Sequence, residues 1–337
     1  MKTLSHTPNL DRRQFIKSVA FGTLALPFLF SNASCSRDEN GGKKTSNTPL
    51  RMQSPWINDA EFIGYFIAME KGFYKEASID FEYLPGGPEI VADSVLLAKR
   101  SEIALTTPDV TINAIVKQNA PFKIIGAQYQ KNPLGVVSLK ENGINTPQDL
   151  IGKTLAVPPA NHLTVKAFLK INEIPLEKVR VVPYQYDPTP LLNGEVDATL
   201  DFVTNVPYTI QERGGNPSSF LLYDFGFRIF NDTVVVRDEM LKEHRDLLTA
   251  WLLASRRGWE ENFKDPGAYP PLFKDSYFSG TGRSIANEIF FNKAQRPLME
   301  NPKGIYAMSE EAIEANIQSL AAVGINATRN MFVNDLL

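Results

Sequence analysis

The stretch WINDAEFIGYFIAMEKGFYKEASIDFEYLPGGP, residues 56–88, contains the pattern that decides the fold. Apolar residues recur at helical spacing and Gly72 follows the last turn, which predicts a helix from about Ala60 to Lys71. Apolar and polar residues then alternate over Ile79–Leu84, as in a strand. The Pro-Gly-Gly-Pro turn at 85–88 predicts a sharp bend into a new helix. Such strand-to-helix turns bind ligands in many α/β proteins, although an ordinary connection fits this pattern equally well.

The alternation of helix and strand continues beyond this glycine turn. Helices are predicted over Pro88–Lys99 and Pro108–Val116, and strands over Ile103–Leu105 and Phe122–Gln128. This rhythm predicts a parallel sheet with crossover helices, so a second strand-end turn lies beside the first. Asp109 in that second turn would contact a ligand or cap its helix, and capping is the more common role.

A second α/β unit is predicted to begin at the strand Leu134–Leu139. Its first strand-end turn, Pro-Pro-Ala-Asn-His at 158–162, leads into a predicted helix over Leu163–Asn172 and so mirrors the glycine turn. A later strand, Asp197–Phe202, emerges at Asp201. The second unit therefore offers its own row of strand-end side chains.

The last third of the chain has mostly helical patterns, including a long one over Asp238–Phe263, and these helices need a sheet to cover. In the economical arrangement, the chain returns after the second unit and completes the first. We therefore predict an α/β fold with two lobes, two crossing strands near 127–133 and 225–233, and a ligand cleft between the lobes. Lobe 1 is predicted at 50–130 and 232–337, and lobe 2 at 131–231.

The first 35 residues have the pattern of an export signal. Asp11-Arg12-Arg13-Gln14-Phe15-Ile16-Lys17 resembles the twin-arginine consensus, and the apolar run 19–30 after it is too short to span a bilayer. Cys35 is the only cysteine, which excludes a disulfide within the chain, and it lies where a lipoprotein signal would be cleaved and acylated. Residues 36–49 are polar and predict a tether. We expect an exported protein of the periplasm or cell surface, with Cys35 as the candidate lipidation site.

Charge and size narrow the possible partners. The formal net charge is −3, and removal of residues 1–34 takes away four basic residues and one acidic residue, leaving about −6. An acidic chain of this kind is a poor nucleic-acid binder. The remaining roughly 300 residues suffice for two lobes of ordinary size, and we expect a monomer.

Short motifs spread over residues 50–337 resemble those of one family. They are Trp56, Glu61-Phe62-x-Gly64-Tyr65, Glu70-Lys71-Gly72-Phe73-Tyr74, Pro85-Gly86-Gly87-Pro88, Asp149-Leu150-x-Gly152-Lys153-Thr154, Gly194-Glu195-Val196-Asp197-Ala198, Thr204-Asn205 and Asp232-Thr233. In this order they resemble periplasmic solute-binding proteins of ABC importers, in the branch related to thiamine-pyrimidine biosynthesis proteins. The resemblance implies a type II periplasmic binding protein that closes on a small solute and delivers it to a membrane permease. Many members have glutamate where this chain has Val206.

An enzyme is the alternative class, because fungal relatives of this branch make the thiamine pyrimidine. The resemblance implies that such a single-turnover synthase needs histidine and a cysteine-rich run. After the signal, this chain has His162, His244 and Cys35. That supply of nucleophiles and metal ligands is thin, so we expect a binding protein without a cofactor rather than an enzyme.

The predicted cleft edges carry an aromatic and acidic set of side chains, together with two glycines. The candidates are Trp56, Asn58, Glu61, Phe62, Tyr65, Gly86, Gly87, Asp109, Asn161, His162, Tyr186, Asp201, Asn205 and Tyr208. No Lys or Arg lies in 56–66, 86–90, 106–112, 158–162 or 201–208, although a sulfonate or bicarbonate would favour fixed positive charge. A planar, neutral or amine-bearing heterocycle fits better, because aromatic faces stack on it and carboxylates or amides pair with its nitrogens.

A pyrimidine precursor of thiamine is the leading ligand, followed by riboflavin-like rings and then small sulfonates. Trp56 is predicted to stack on the ring from lobe 1, and Asp201 to make a polar contact from lobe 2. Phe62 and Tyr65 lie on a helix with an apolar face, so core packing explains them at least as well as ligand contact.

Overall fold

A computed structural model describes residues 47–337. The predicted export signal, with Cys35, and residues 36–46 of the predicted tether lie outside the described residues. The first strand begins at Thr48, where pairing with Ile79 starts, so the folded part reaches into the last residues assigned to the tether. Between residues 47 and 337, none of the helices has the length and apolar character needed to cross a membrane.

The described part alternates strands and helices along the chain. The strands are β1 (Thr48–Gln53), β2 (Ile79–Leu84), β3 (Ile103–Thr106), β4 (Phe122–Tyr129), β5 (Leu134–Leu139), β6 (Thr154–Val157), β7 (Arg180–Pro183), β8 (Ala198–Phe202), β9 (Pro217–Leu221) and β10 (Asn231–Arg237). The α-helices are α1 (Ile63–Glu70), α2 (Phe73–Glu76), α3 (Ala92–Leu97), α4 (Pro108–Gln118), α5 (His162–Ile171), α6 (Thr189–Leu192), α7 (Val206–Glu212), α8 (Asp238–Glu243), α9 (Arg245–Asn262), α10 (Pro270–Phe273), α11 (Ile285–Met299) and α12 (Glu310–Ala321). A 3-10 turn, Ala60–Phe62, leads directly into α1.

The strands form two five-stranded sheets with the orders β2-β1-β3-β10-β4 and β7-β6-β8-β5-β9. Each sheet is parallel except for one strand, β10 in the first and β5 in the second, which runs antiparallel to both neighbours. The alternating pattern predicted parallel sheets throughout. The exceptions are the two strands that the chain enters from the other sheet, so their direction follows from the crossings and not from a helical crossover.

Two segments, 130–133 and 222–230, connect the sheets. Asn132 joins the two segments, because its backbone N–H donates to the Ile229 carbonyl at 3.1 Å. Its side-chain Oδ1 accepts from the Leu134 N–H at 2.9 Å, at the start of β5. The predicted α/β fold of two lobes joined by two crossing segments is confirmed. Below, the first lobe denotes residues 48–129 and 231–337, and the second lobe residues 134–221.

The helices α1 and α9 meet at two glycines in the core of the first lobe. A Cβ on Gly258 would lie 2.0 Å from the Gly64 carbonyl oxygen, and a Cβ on Gly64 would lie 2.3 Å from the Trp259 ring. Only glycine permits this approach of the two backbones. Trp251 and Trp259 are fully buried on α9.

Two predicted helices differ from those observed. The helix predicted over Pro88–Lys99 spans only Ala92–Leu97, and a turn in which the Ile90 N–H donates to the Gly87 carbonyl at 3.0 Å precedes it. The single helix predicted over Asp238–Phe263 is interrupted at His244, whose φ of −133° and ψ of 37° separate α8 from α9.

Candidate functional site

The glycine turn after β2 packs against the segment that follows β1. The Gly86 N–H donates to the Trp56 carbonyl at 3.0 Å, and a Cβ on Gly86 would lie 2.3 Å from the Ser54 carbonyl oxygen. The buried Gln53 amide donates to the Ser54 carbonyl at 2.9 Å and to the Pro85 carbonyl at 3.1 Å, so it joins the two segments. Trp56 is therefore held at the carboxyl edge of the first sheet.

The two glycines of this turn make a matched pair for substitution. We expect Gly86→Ala to cost about 1–3 kcal/mol of unfolding free energy and to displace Trp56, because the new methyl group overlaps backbone atoms. Gly87→Ala should be nearly neutral, since its Cβ would meet only the Ile57 side chain, at 4.0 Å. Urea unfolding of both variants measures the difference, and equal midpoints would contradict this account of the turn.

Trp56 meets Tyr186 across the cleft. The two rings come from the first and second lobes, their centroids are 4.9 Å apart, and their planes are tilted by 58°. Tyr186 is 42% exposed and has a φ of +59°, a left-handed backbone that is rare outside glycine and clusters at ligand clamps. Two aromatic side chains from opposite lobes thus contact each other in this structure, and a ring could enter between them only when the lobes separate.

The second lobe adds polar atoms without partners beside this aromatic pair. Asp201, at the end of β8, is 9% exposed; its Oδ1 accepts from the Phe202 N–H at 2.9 Å, whereas its Oδ2 has no partner. Burial raises the pKa of Asp201 to about 6, whereas the Tyr184 hydroxyl lowers it, and burial followed by the charge of Asp201 raises the pKa of Tyr186. Further buried oxygens without partners belong to Thr199, Thr204 and Asn205. Buried polar atoms are normally hydrogen-bonded, so this set points to a polar ligand.

The first lobe contributes an ion cluster that the sequence did not reveal. Arg283, just before α11, donates to Asp59 at 2.6 Å and to Glu288 at 3.3 Å, and Glu288 accepts from the Ala60 N–H at 2.9 Å. Both carboxylate side chains are fully buried. Burial raises the pKa of Glu288 to about 7, whereas Arg283 opposes that rise. The charge of Arg283 also lowers the pKa of Asp201 in the second lobe, against the rise that burial causes.

A second buried group of the first lobe joins Glu61, Gln128 and Asp232. The Gln128 amide Nε2 donates to the Glu61 carbonyl at 2.8 Å and to the Asp232 carboxylate at 3.0 Å, while its Oε1 has no partner. Burial, followed by the charges of Asp232 and Asp59, raises the pKa of Glu61 well above its ordinary value. Burial raises the pKa of Asp232 to about 7. Among the described side chains, no three His, Cys, Asp or Glu residues are grouped as ligands of a metal ion.

Several other candidates lie along α1 and in the loop before it. Phe62 and Tyr65 are fully buried in the core of the first lobe, where the Tyr65 ring stacks on Trp251 with centroids 5.9 Å apart. Asn58, two residues after Trp56, is partly buried and its Oδ1 has no partner. Asn58 therefore belongs with the unsatisfied polar atoms, whereas Phe62 and Tyr65 belong to the core of the first lobe.

The remaining candidates lie at the other end of the cleft. Asp109, in the first turn of α4, accepts a hydrogen bond of 3.4 Å from the Thr164 hydroxyl of the second lobe, and its Oδ1 has no partner. Asn161 is partly buried and His162 is exposed, both at the start of α5. This end thus joins the lobes through one side-chain contact and lies apart from the aromatic pair.

The opposite rim is closed by α7 of the second lobe and α11 of the first. The Asn287 amide donates to the Thr209 hydroxyl at 2.8 Å, and the Tyr208 and Phe290 rings have centroids 5.1 Å apart. The lobes therefore touch at both ends of the cleft, with the Trp56–Tyr186 contact between them.

The sequence matches a known protein family. The profile of the family described as NMT1/THI5 like matches residues 59–268, which is more than half of the chain. The chain belongs to the NMT1/THI5-like family. The matched range begins at Asp59, in the loop that carries the ion cluster, and extends past the end of α9.

Two curated relatives and one solved structure illustrate what this family member is similar to. It is 20% identical over 216 residues to the riboflavin-binding protein RibY of Chloroflexus aurantiacus, covering 63% of this chain and 61% of that protein. It is 30% identical over 105 residues to the 4-amino-5-hydroxymethyl-2-methylpyrimidine phosphate synthase of Legionella pneumophila, covering 29% of this chain and 31% of that protein. The matches thus span less than two thirds of either relative.

The periplasmic aliphatic sulphonate binding protein SsuA of Escherichia coli has a similar structure. The TM-score is 0.64 at 12% identity, with 81% of this chain and 91% of that chain covered. At this identity the likeness shows the fold alone, and it confirms the predicted type II periplasmic binding fold.

Proposed function

We propose that this protein is the solute-binding component of an ABC importer and that it captures a small planar heterocycle between its two lobes. A pyrimidine precursor of thiamine is the leading ligand. The observation that carries this proposal is the Trp56–Tyr186 pair across the cleft, with the unpaired Asp201 Oδ2 beside it. An aromatic clamp holds the faces of a ring, and a carboxylate at its edge accepts from an amine or ring N–H.

The charges around the cleft favour an amine-bearing ring over an anion. Arg283 is a cation that the strand-end ranges did not include, but Asp59 and Glu288 already engage it. Glu61, Asp232 and Asp201 add three more buried carboxyls. A sulfonate would meet this acidic surface with its own negative charge, so the fold likeness to a sulphonate-binding protein does not extend to the ligand we propose.

Export and delivery to a membrane permease are part of the same proposal. They rest on the signal-like residues 1–35 and on the two-lobed fold, which can close around a solute and present the closed form to a partner. Cys35 remains the candidate lipid-attachment site, and we propose the periplasm or cell surface as the location.

Calorimetric titration with a ligand panel tests the proposal. We expect binding of 4-amino-5-hydroxymethyl-2-methylpyrimidine in preference to riboflavin and to an alkanesulfonate. Trp56→Ala should weaken binding at least about tenfold, because the loss of a stacked ring adds to the loss of buried area, while the melting temperature stays near wild type.

Tyr186→Ala should weaken binding in the same way, and Tyr269→Ala is the matched control. Tyr269 is a partly buried aromatic that bonds Glu261 at 2.9 Å in the outer helices of the first lobe, so its loss should leave binding unchanged. Preferential sulfonate binding would overturn the heterocycle proposal. A Trp56→Ala variant that binds normally but melts early would instead assign the tryptophan to the core.

A pyrimidine synthase is the second candidate, favoured by the 30% identity to the Legionella protein over 105 residues. The histidines within the described residues, His162 and His244, are both exposed and lie on α5 and before α9. We therefore expect a bound pyrimidine to be recovered unchanged by mass spectrometry after long incubation. Appearance of a new pyrimidine product from this protein alone would establish the enzyme instead.

A further inference from the structure

Glu61 and Asp232 form a buried pair of acidic residues in the first lobe, bridged by the Gln128 side chain. Glu61 lies in the 3-10 turn between β1 and α1, and Asp232 is the second residue of β10, directly after the second crossing segment. They are 4% and 2% exposed. Burial and then the charge of Asp232 raise the pKa of Glu61, and burial raises the pKa of Asp232 to about 7, so a proton shared by the two carboxyls is favoured.

The surroundings of the pair supply acceptors and neutral hydroxyls, and the nearby cation is engaged elsewhere. Asp59 adds a negative charge that raises the pKa of Glu61 further. Arg283 bonds Asp59 and Glu288. The titratable groups that act on the pair, or whose pKa its charges raise, are Asp59 before α1, Tyr65 on α1, Tyr83 on β2, Tyr129 on β4, Arg283 before α11 and Tyr306 after it.

The Gln128 side chain is a second observation that points to a ligand group beside the Glu61–Asp232 pair. This side chain is fully buried, and its amide nitrogen is fixed between the Glu61 carbonyl and the Asp232 carboxylate. Its Oε1 is therefore held beside the pair, yet it accepts no hydrogen bond. A buried acceptor without a donor is costly, and here three acceptor groups converge.

We propose that the ligand is bound as a cation, with its N–H donors on the Glu61–Asp232 pair and on Gln128 Oε1. This inference rests on the proposed function and narrows it to rings that can carry a protonated amidine edge, such as a 4-aminopyrimidine. A cation brings only donors, so it satisfies the three acceptors together and compensates the buried negative charge.

Proton balance gives this site a distinctive signature. In the free protein the pair holds one proton. A ligand that arrives already protonated displaces this proton to solvent, so one proton is released for each ligand bound. A neutral ligand takes the same proton from the carboxyl oxygen onto its ring nitrogen, so no net proton is exchanged. The bound state is the same in both cases.

Titration calorimetry in buffers of different ionisation enthalpy measures the released proton. The probe is 4-amino-5-hydroxymethyl-2-methylpyrimidine, studied once at a pH where it is protonated and once where it is neutral. We expect release of close to one proton in the first case and close to none in the second. Its 4-hydroxy analogue, which lacks the amidine edge, should bind at least about tenfold more weakly.

Glu61→Gln and Asp232→Asn should each weaken the aminopyrimidine at least about tenfold and abolish proton release. Asp93→Asn is the matched control, because Asp93 is also a buried carboxyl of the first lobe, with a pKa raised by burial to about 6, but it bonds the Thr111 hydroxyl and neither member of the pair. This control should keep wild-type affinity and proton release.

Stability against pH separates a binding role from a supporting one. Acid groups whose pKa is raised on folding bind more protons in the folded state, so they make the free protein less stable as pH rises from about 4 to about 7. Glu61→Gln removes this loss, so the variant should melt above wild type at pH 8 while it binds worse. The inference is overturned if the Glu61→Gln variant melts well below wild type. It is also overturned if the aminopyrimidine binds wild type with no proton release at the pH where the free ligand is protonated. If no heterocycle binds wild type at all, the proposed function itself fails.

Discussion

Arg283→Met is expected to destabilise the protein by about 3–5 kcal/mol, because it leaves two buried carboxylates without their cation. The Asp59 and Glu288 side chains are fully buried, and Glu288 also accepts from the backbone at the start of α1. Loss of the guanidinium should favour their protonation, so the cost should be larger at pH 8 than at pH 5. Urea unfolding at the two pH values measures both effects.

Arg257→Met is the control for this variant. Arg257 bonds Glu76 at 2.7 Å, a shorter distance than that between Arg283 and Glu288, but both members of this pair are roughly half exposed. Exposed pairs contribute about 0–1 kcal/mol, so burial and not distance should decide the difference. Equal losses of unfolding free energy in the two variants would show that burial does not increase the contribution of the Arg283 cluster to stability.

Gly258→Ala is the second substitution with a large expected effect, about 3 kcal/mol of destabilisation. Alanine is worth up to about 1 kcal/mol more than glycine in a helix, but here its methyl group would lie 2.0 Å from the Gly64 carbonyl oxygen and 2.9 Å from the Ala68 Cβ. The helices α1 and α9 must then separate, which loosens the packing around Trp259.

Thermal and urea unfolding measure the cost of Gly258→Ala. Gly267→Ala is the control, since its Cβ would meet only the Asp265 side chain, at 3.3 Å, in an exposed loop. We expect that variant to stay within about 0.5 kcal/mol of wild type. A Gly258→Ala protein as stable as this control would mean that the two helices can shift apart without loss.

Local sequence patterns predicted most of the strands and helices of the fold. The strand predicted over Ile79–Leu84 has the same bounds in the structure, because alternation with period two is encoded in six consecutive residues. The start of α3 was missed because the residues after the glycine turn form a further turn, closed by the Ile90 N–H on the Gly87 carbonyl, and not the first turn of a helix. The break at His244 was missed because the apolar spacing continues through it. Boundaries set by tertiary contacts leave little trace in the local sequence.

The candidate site was also predictable only in part, because contacts between residues far apart in the chain leave little trace in the local sequence. Trp56 and Asp201 were expected at strand ends and lie there, since strand ends follow from local patterns. The ion cluster was not expected, because Asp59 and Arg283 are 224 residues apart and each has an ordinary neighbourhood. The sequence ranges that lack Lys and Arg include only the predicted turns, whereas the cation, Arg283, lies in the last third of the chain. Whether the predicted contacts hold a ligand stays a prediction.

The placement of the tryptophans gives the protein an optical reporter of its own. The chain has three, and two of them, Trp251 and Trp259, are sealed in the core of the first lobe. Trp56 is the one at the gap between the lobes, against Tyr186. Any change in indole emission when a solute enters therefore originates at the clamp, against a constant background from the other two. Solute capture can thus be followed by fluorescence in unlabelled protein, and a phenylalanine at position 56 provides the dark reference.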